Sequence, residues 1–334
     1  MKYLSLGRVP PTFPGRNGMR KLGETKLLYY AKHITLSLIP RVCFERRLKF
    51  ELEKAAKHDL DELMERVDYC NRIRDSFELD DTAVSLKRFR LKGNPSAYYY
   101  DLRQYLRYFP GDCRIAYRFG DVNTVPDQPA FVKSRPIAAD ESNANSILMK
   151  FDEIRHFRFV EDRLTFSEKA NIAVFRGSCS QEHRLRFVET CHAMPGTDIG
   201  DTWGGHRGMP YWKPYLDRSG QLRNKFIISV EGNDVATNLK WILSSNSLCM
   251  MTKPRYETWF MEGSLVPDWH YVLLREDYAD LPEKVEYYTR HTEEALAIIG
   301  NARKYAARFF DRETEKLVSL LVVRKYLDFA GCPG

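Results

Sequence analysis

The chain has 334 residues, 43% of them apolar and 13% aromatic, enough to bury a sizeable core and, at roughly 150 residues per domain, to form two domains. That composition excludes a disordered chain, and the longest apolar-rich run near the C-terminus, Leu317 to Val323, falls far short of the ~18 residues that a bilayer span requires. The net charge of +7 is concentrated in residues 1–60, which hold 13 Lys or Arg against 5 Asp or Glu, while the other 274 carry 39 against 40.

The opening segment MKYLSLGRVPPTFPG lacks the apolar stretch of a signal peptide, and Pro10 to Gly18 reads as extended. Leu27, Leu28, Tyr29, Tyr30, Leu36, Leu38 and Ile39, flanked by Lys21, Lys26, Lys32 and Arg41, have the content of a membrane-surface element, with Pro40 limiting any single helix. The basic excess suits anionic lipid or nucleic acid, or presents an ordinary solvated face. Leu60, Leu63, Met64, Val67 and Cys70 share one helical face, which predicts helix over much of 45–73, and 97–108 also reads as helix. Ile115 to Tyr117 is a short strand that leads into Gly120-Asp121 and a Pro-containing loop over 122–129.

The second half alternates strand and helix in the manner of a parallel α/β sheet. Strands are expected at 172–175, 226–230, 248–251 and 271–274, and helices at 181–191, 234–243, 256–261 and from Pro282 onward. Ligands in such sheets lie beyond the carboxyl ends of the strands. The seven cysteines, Cys43, Cys70, Cys113, Cys179, Cys191, Cys249 and Cys332, show an odd count and no CxxC, and read as reduced thiols in a cytoplasmic protein.

Three segments fall at strand ends. In Phe175-Arg176-Gly177-Ser178, with Arg184 further on, a guanidinium can hold a diphosphate and Gly177 permits close backbone approach, although such a triplet alone also reads as a structural turn. In Glu231-Gly232-Asn233-Asp234 through Asn238 and Lys240, a strand meets Gly and a helix N-terminus capped by Asn233 or Asp234, which suits either a phosphate or a simply well-capped helix. In Lys253-Pro254-Arg255-Tyr256-Glu257, an early-helix carboxylate can accept from ribose hydroxyls or complement the helix dipole. Asp121, on a loop, is a candidate general base, the alternative being a turn-solvating aspartate. Asp59-Leu60-Asp61 sits in an amphipathic helix rather than a metal site, no HxxxH or HExxH occurs, and neither GxxxxGK(S/T) nor GxGxxG is present.

Together these residues resemble glycosyltransferase family 90, the group that contains the bacterial lipopolysaccharide A proteins and the eukaryotic CAP10-domain transferases. The resemblance runs through Gly120-Asp121-Val122, Val132 to Ile137, Asn145 to Leu148, Arg155-His156-Phe157, Phe175 to Ser178, Glu231 to Trp241 and Lys253 to Gly263. It implies a GT-B fold, two Rossmann-like domains facing across a cleft: an acceptor-side domain over 1–165, a nucleotide-sugar-binding domain over 166–310, and a helix over 311–334 that returns to the first. It implies a uridine-diphosphate sugar donor, no metal or other cofactor, and inversion at the anomeric carbon. Asp121 matches the family's base, and Ser178, Arg184, Lys240 and Glu257 match donor-contacting positions, with Arg176, Gly177, Gly232, Asn233, Asp234 and Lys253 completing the donor set. Asn238 stands where eukaryotic relatives carry Arg, which implies that this phosphate contact is either lost or moved to Lys240 or Lys253. The acceptor implied is a lipopolysaccharide or lipooligosaccharide core, or alternatively another glycan or a protein. The location implied is peripheral, on the inner face of the cell membrane. The near-neutral α/β half and the lack of a nucleic-acid module argue against a nucleic-acid partner.

Overall fold

A computed structural model of the chain describes residues 26–91 and 96–332; the expectations for Pro10 to Gly18 and Lys21 lie outside them. Helices α1 (Lys26–Ser37) and α2 (Arg41–Glu53) are separated by Pro40, which occupies the N-cap of α2, where its missing N–H costs nothing. The expected helix over 45–73 breaks at 54–57, a 3-10 turn, and restarts as α3 (Leu60–Cys70). Asp59 causes the restart, because its carboxylate accepts from the Asp61 and Glu62 N–H groups at 3.0 and 3.2 Å. Leu63, Val67 and Cys70 are buried, whereas Leu60 and Met64 face solvent.

Strand β1 (Val84–Ser85) pairs antiparallel with β2 (Arg114–Ile115), and α4 (Ala97–Leu106) lies between them in sequence. Strand β3 (Ala130–Val132) runs parallel to β5 (Ser146–Leu148), and Tyr117 forms a parallel bridge to Phe131 on the other side of β3. Strand β4 (Ser134–Pro136) and the short α5 (Glu153–His156) complete this part.

The second part follows as β6 (Ala170–Gly177), α6 (Glu182–Cys191), β7 (Thr197–Asp201), α7 (Arg218–Gln221), β8 (Asn224–Ile228), α8 (Leu239–Leu243), β9 (Leu248–Met251), β10 (Tyr256–Thr258), β11 (Val272–Leu273), α9 (Leu281–Arg290) and α10 (Thr292–Ala307). Five of these strands form one all-parallel sheet in the order β11-β9-β8-β6-β7. Its inner strands are near-continuous apolar runs because both faces are covered. Val174, Ile227, Cys249 and Met251 face the core shared with the N-terminal part, and Ala173, Phe175, Phe226, Ile228, Leu248 and Met250 face a second core under α6 and α9. The strand order reverses beside β6, since β7 is added on one side and β8 on the other.

Two expected helices are corrected. The segment over 256–261 opens as β10, which pairs antiparallel with β4 and places Glu257 opposite Arg135. The helix expected from Asp234 begins only at Leu239, so Asn233 and Asp234 occupy an irregular loop and cap nothing. Strand β7 escaped notice because Thr197-Asp198-Ile199-Gly200-Asp201 lacks an apolar run, as an edge strand can.

Helix α11 (Arg312–Phe329) packs against α2, α3 and α4 of the N-terminal part. The Tyr326 hydroxyl accepts from the Ala116 N–H at 3.0 Å and donates to the Pro129 carbonyl at 2.9 Å. This return corrects the reading of seven reduced thiols: Cys113 and Cys332, with Cα atoms 5.6 Å apart, form a disulfide, and the other five cysteines are free. Neither count nor spacing reveals a pair separated by 219 residues. Among the described residues, no helix is long and apolar enough to cross a membrane.

Candidate functional site

In an open α/β sheet the crevice at the point of strand-order reversal, outside the carboxyl ends, is where ligands bind. Here that crevice lies between the loops that follow β6 and β8, and Arg184 spans it. From the first turn of α6 its guanidinium donates to the carbonyls of Val230 (2.7 Å), Glu231 (2.8 Å) and Ser178 (3.1 Å). No carboxylate pairs with it among the described residues. Burial lowers its pKa, and a cation in the first turn of a helix opposes the macrodipole. A guanidinium held by carbonyls alone, in an unfavourable place, carries charge that an anion can satisfy.

The neighbouring residues are arranged around it. A Cβ on Gly232 would come 3.4 Å from Arg184 Nη2, so glycine leaves that side of the guanidinium uncovered. Ser178 and Lys253 are exposed at the same edge of the sheet. His183 contacts the Glu231 carbonyl through Nε2 at 2.8 Å, and the acceptor there calls for the tautomer with the proton on Nε2. A cavity of about 390 Å³ opens beside this segment, lined by His183, Phe187, Val230, Thr252 and Tyr278 among others. Arg184 is within electrostatic reach both of Tyr278 on the cavity wall and of Asp234.

Asp234 belongs to a cluster that joins the two parts of the chain. The Lys133 ammonium, almost fully buried, contacts Asp121 Oδ1 and lies 2.7 Å from Asp234 Oδ2. The Ser134 hydroxyl is 2.6 Å from the same Asp234 oxygen and 2.9 Å from the Val122 carbonyl, so its one proton serves either. Asn233 Nδ2 donates to Asp121 Oδ2 at 3.2 Å, and Arg155 Nη2 lies 3.9 Å from Asp121 Oδ1. Burial opposes ionisation of Asp121, but the bond and charge of Lys133, with Asn233 and Arg155, outweigh it and hold the carboxyl below its ordinary range. Asp121 keeps about a third of its side chain exposed and follows Gly120, whose φ of +103° turns the loop. Beside it, Phe119 packs at 5.6 Å from Tyr98 and 5.5 Å from Phe151 and leaves part of its ring in solvent. Burial drives His156 well below its ordinary pKa, so this inner histidine is neutral.

Four expected donor ligands are engaged elsewhere. Arg176 forks onto both Asp198 oxygens at 2.8 Å and bonds the Asp198 carbonyl at 2.6 Å, which ties β6 to β7. Asn238 is held by Ser229 and by the Ile228 carbonyl, both at 3.1 Å. Lys240 is fully buried, 2.7 Å from Glu262 Oε1. Glu257 is also fully buried: Oε1 accepts from Arg135 Nε at 2.7 Å and Oε2 from the Tyr69 hydroxyl. A carboxylate in the first turn of a helix would have been open to ribose; on β10 it is used by its cross-strand neighbour on β4. The structure therefore brings together Asp121, Asn233, Asp234, Gly232 and Arg184, with Gly177, Ser178 and Lys253 at the same strand ends, and leaves Arg176, Asn238, Lys240 and Glu257 outside that group.

Lys133, which holds this cluster together, is not among the residues singled out from sequence. Its signal is that Lys, Ser and Arg directly follow the apolar Ala130-Phe131-Val132, and charge in such a place must be paired.

Residues 148–317 match the profile of Glycosyl transferase family 90. The chain is 45% identical over 304 residues to the O-glucosyltransferase LpsA of Dichelobacter nodosus, an alignment that covers 90% of this chain and 95% of that one. It is 26% identical over 168 residues to Protein O-glucosyltransferase 3 of Homo sapiens, with 48% and 32% covered.

Proposed function

This chain belongs to glycosyltransferase family 90 and is a glycosyltransferase, and we propose that it moves a sugar from a uridine-diphosphate donor, with inversion and without a metal ion, to a lipopolysaccharide or lipooligosaccharide core. The observation that carries this reading is that Arg184 is within electrostatic reach both of Tyr278, on the wall of the 390 Å³ cavity, and of Asp234, in the Asp121–Lys133–Asp234 cluster. Nucleoside, diphosphate and reacting sugar are assigned to the cavity, to Arg184 and to the cluster in turn.

In this reading the nucleoside occupies the cavity between α6 and the loops after β8 and β9. The diphosphate meets Arg184, with Lys253 at the rim. Asp121, ionised at neutral pH, takes the proton from an acceptor hydroxyl as that oxygen forms its bond to the anomeric carbon, and the bond to the diphosphate oxygen breaks on the opposite face. Charge that develops on the leaving group is stabilised by the fixed guanidinium rather than by a metal. Asn233 and Lys133 hold Asp121 in place, and the partly exposed Phe119 ring offers an apolar face on which the acceptor sugar can rest. The two facing sides of the cleft are those of a GT-B arrangement. A lipid-linked acceptor places the enzyme peripherally on the inner face of the membrane, with the basic N-terminal part toward it.

Incubation with a panel of uridine-diphosphate sugars and core oligosaccharides, read by mass spectrometry and by the anomeric configuration of the product, tests each element. Retained configuration, loss of transfer on chelation, or exclusive use of protein acceptors would each overturn the corresponding part.

A further inference from the structure

Three arginines, Arg41, Arg103 and Arg107, converge where α2 begins and α4 ends. Among the described residues their hydrogen bonds run only to uncharged groups: Arg41 to the carbonyls of Leu106, Phe109 and Leu86 at 3.1, 2.7 and 2.8 Å, Arg103 to the Ser37 hydroxyl at 2.7 Å, and Arg107 to the Ile39 carbonyl at 3.3 Å. Glu45 acts on Arg41 at longer range, and none of the three forms an ion pair among the described residues. Together they line a cavity of about 60 Å³. Arg107 is only 5% exposed, its Nε is buried without a partner among the described residues, and it also lines a second cavity of about 330 Å³ with Lys32 and Arg312, and with Lys150 and Lys316, which are paired to Glu315 and Glu51. Burial and the charges of Arg103 and Arg41 pull its pKa down to about 10. Like charges, two of them half-buried, gathered around a buried unmet donor are a disfavoured arrangement that an anion relieves.

A second observation adjoins the first. On α1 the residues Leu27, Ala31 and Ile34 recur at i, i+4 and i+7, and Leu38 in the turn directly after the helix continues one stripe open to solvent, with Leu27 and Leu38 at 78% and 80% exposure. Ile39 and Val42 extend it around the corner into α2, and Lys26, Lys32, Arg46 and Lys49 flank it, all exposed. A second copy of the chain would set this cationic rim against itself, whereas an anionic lipid surface complements both apolar stripe and rim.

We propose that the α1–α2 corner docks on an anionic phospholipid surface, the Leu27 to Leu38 stripe entering the headgroup layer and Arg41, Arg103 and Arg107 binding one lipid phosphate. The proposal rests on the peripheral location given above and assigns it to a site. Helix α4 connects this site to the acceptor side, because Tyr98 near its start packs on Phe119 beside Asp121, about 14 Å along the axis from Arg107 at 1.5 Å per residue.

The test is co-sedimentation of the full chain with vesicles of phosphatidylcholine alone or with added phosphatidylglycerol, for wild type, Arg103→Gln, Arg103→Lys and Leu38→Gln, each checked for fold by circular dichroism. Wild type should favour the phosphatidylglycerol vesicles, and Arg103→Gln should weaken that binding about fivefold, one surface charge's share. Arg103→Lys should retain most of it, Leu38→Gln should weaken binding to either vesicle, and transfer to a soluble acceptor should be unchanged. Arg103→Gln binding as well as wild type overturns the phosphate site while leaving the peripheral location intact. Wild type ignoring both vesicles removes the peripheral location itself. Release from vesicles by millimolar inorganic phosphate, or a dimer in sedimentation that Leu38→Gln dissolves, overturns the lipid as occupant in favour of free phosphate or a second copy.

Discussion

Asn233 donates its side-chain amide to Asp121 at 3.2 Å across 112 residues of sequence, and this bond joins the loop after Gly120 to the loop after β8. The buried Lys133 reinforces the junction, since it serves Asp121 and Asp234 at once. The two loops are therefore placed by one shared set of charges.

Replacing Asp121 with Asn should lower kcat by about 10²–10⁴-fold, the share of a positioned general base, with the thermal transition preserved. Full turnover by a folded Asp121→Asn enzyme would remove it from the mechanism.

The pH profile follows from the partners of Asp121. Burial works against ionisation, the Lys133 contact prevails, and the carboxyl titrates below its ordinary range. The acid limb of kcat/KM should accordingly lie below the usual carboxylate range, and the stability that this ion pair contributes should be present above the unfolded pKa and lost as pH falls through the folded one. Lys133→Met should shift the limb upward and cost about 3–5 kcal/mol, as expected when one member of a buried ion pair is removed. Lys133→Arg should restore part of both. An acid limb that stays put in a folded Lys133→Met enzyme would separate Lys133 from the base.

Arg184→Gln should weaken binding of uridine diphosphate by about 1.5–3 kcal/mol, the range for hydrogen bonds to charged groups, while binding of uridine changes little. Calorimetry with the two ligands reads the difference directly, and equal losses for both would assign Arg184 to loop structure alone.

Glu257→Gln leaves the fully buried Arg135 without its counter-charge and should destabilise the fold by about 3–5 kcal/mol. A donor KM that rises with no change in thermal stability would instead return Glu257 to a ribose contact.

Thiol titration of the denatured, unreduced protein should find five reactive cysteines, and seven after reduction. Cys332→Ser should lower the melting temperature only under oxidising conditions. Seven thiols before reduction would show the Cys113–Cys332 bond absent.

Local pattern alone was enough for the parallel α/β half. Apolar runs at 172–175, 226–230 and 248–251 form strands wherever both faces are buried, and Gly120-Asp121, Arg184 and Gly232 stand at the turns that follow strands. Their order along the chain also made the family legible. The partners were not legible. Glu257, Lys240 and Arg176 look in sequence like free ligands, and Cys113 and Cys332 like free thiols, because a single chain pattern carries no record of which distant group neutralises a buried charge or meets a thiol. Only the tertiary structure decided those pairings, when β10 came to lie against β4 and α11 returned to the N-terminal part, since ion pairs and disulfides are set by spatial approach and exclusion of water rather than by neighbours in sequence. The same folding left Arg184 held, among the described residues, by carbonyls alone and Asp121 held by Lys133 and Asn233.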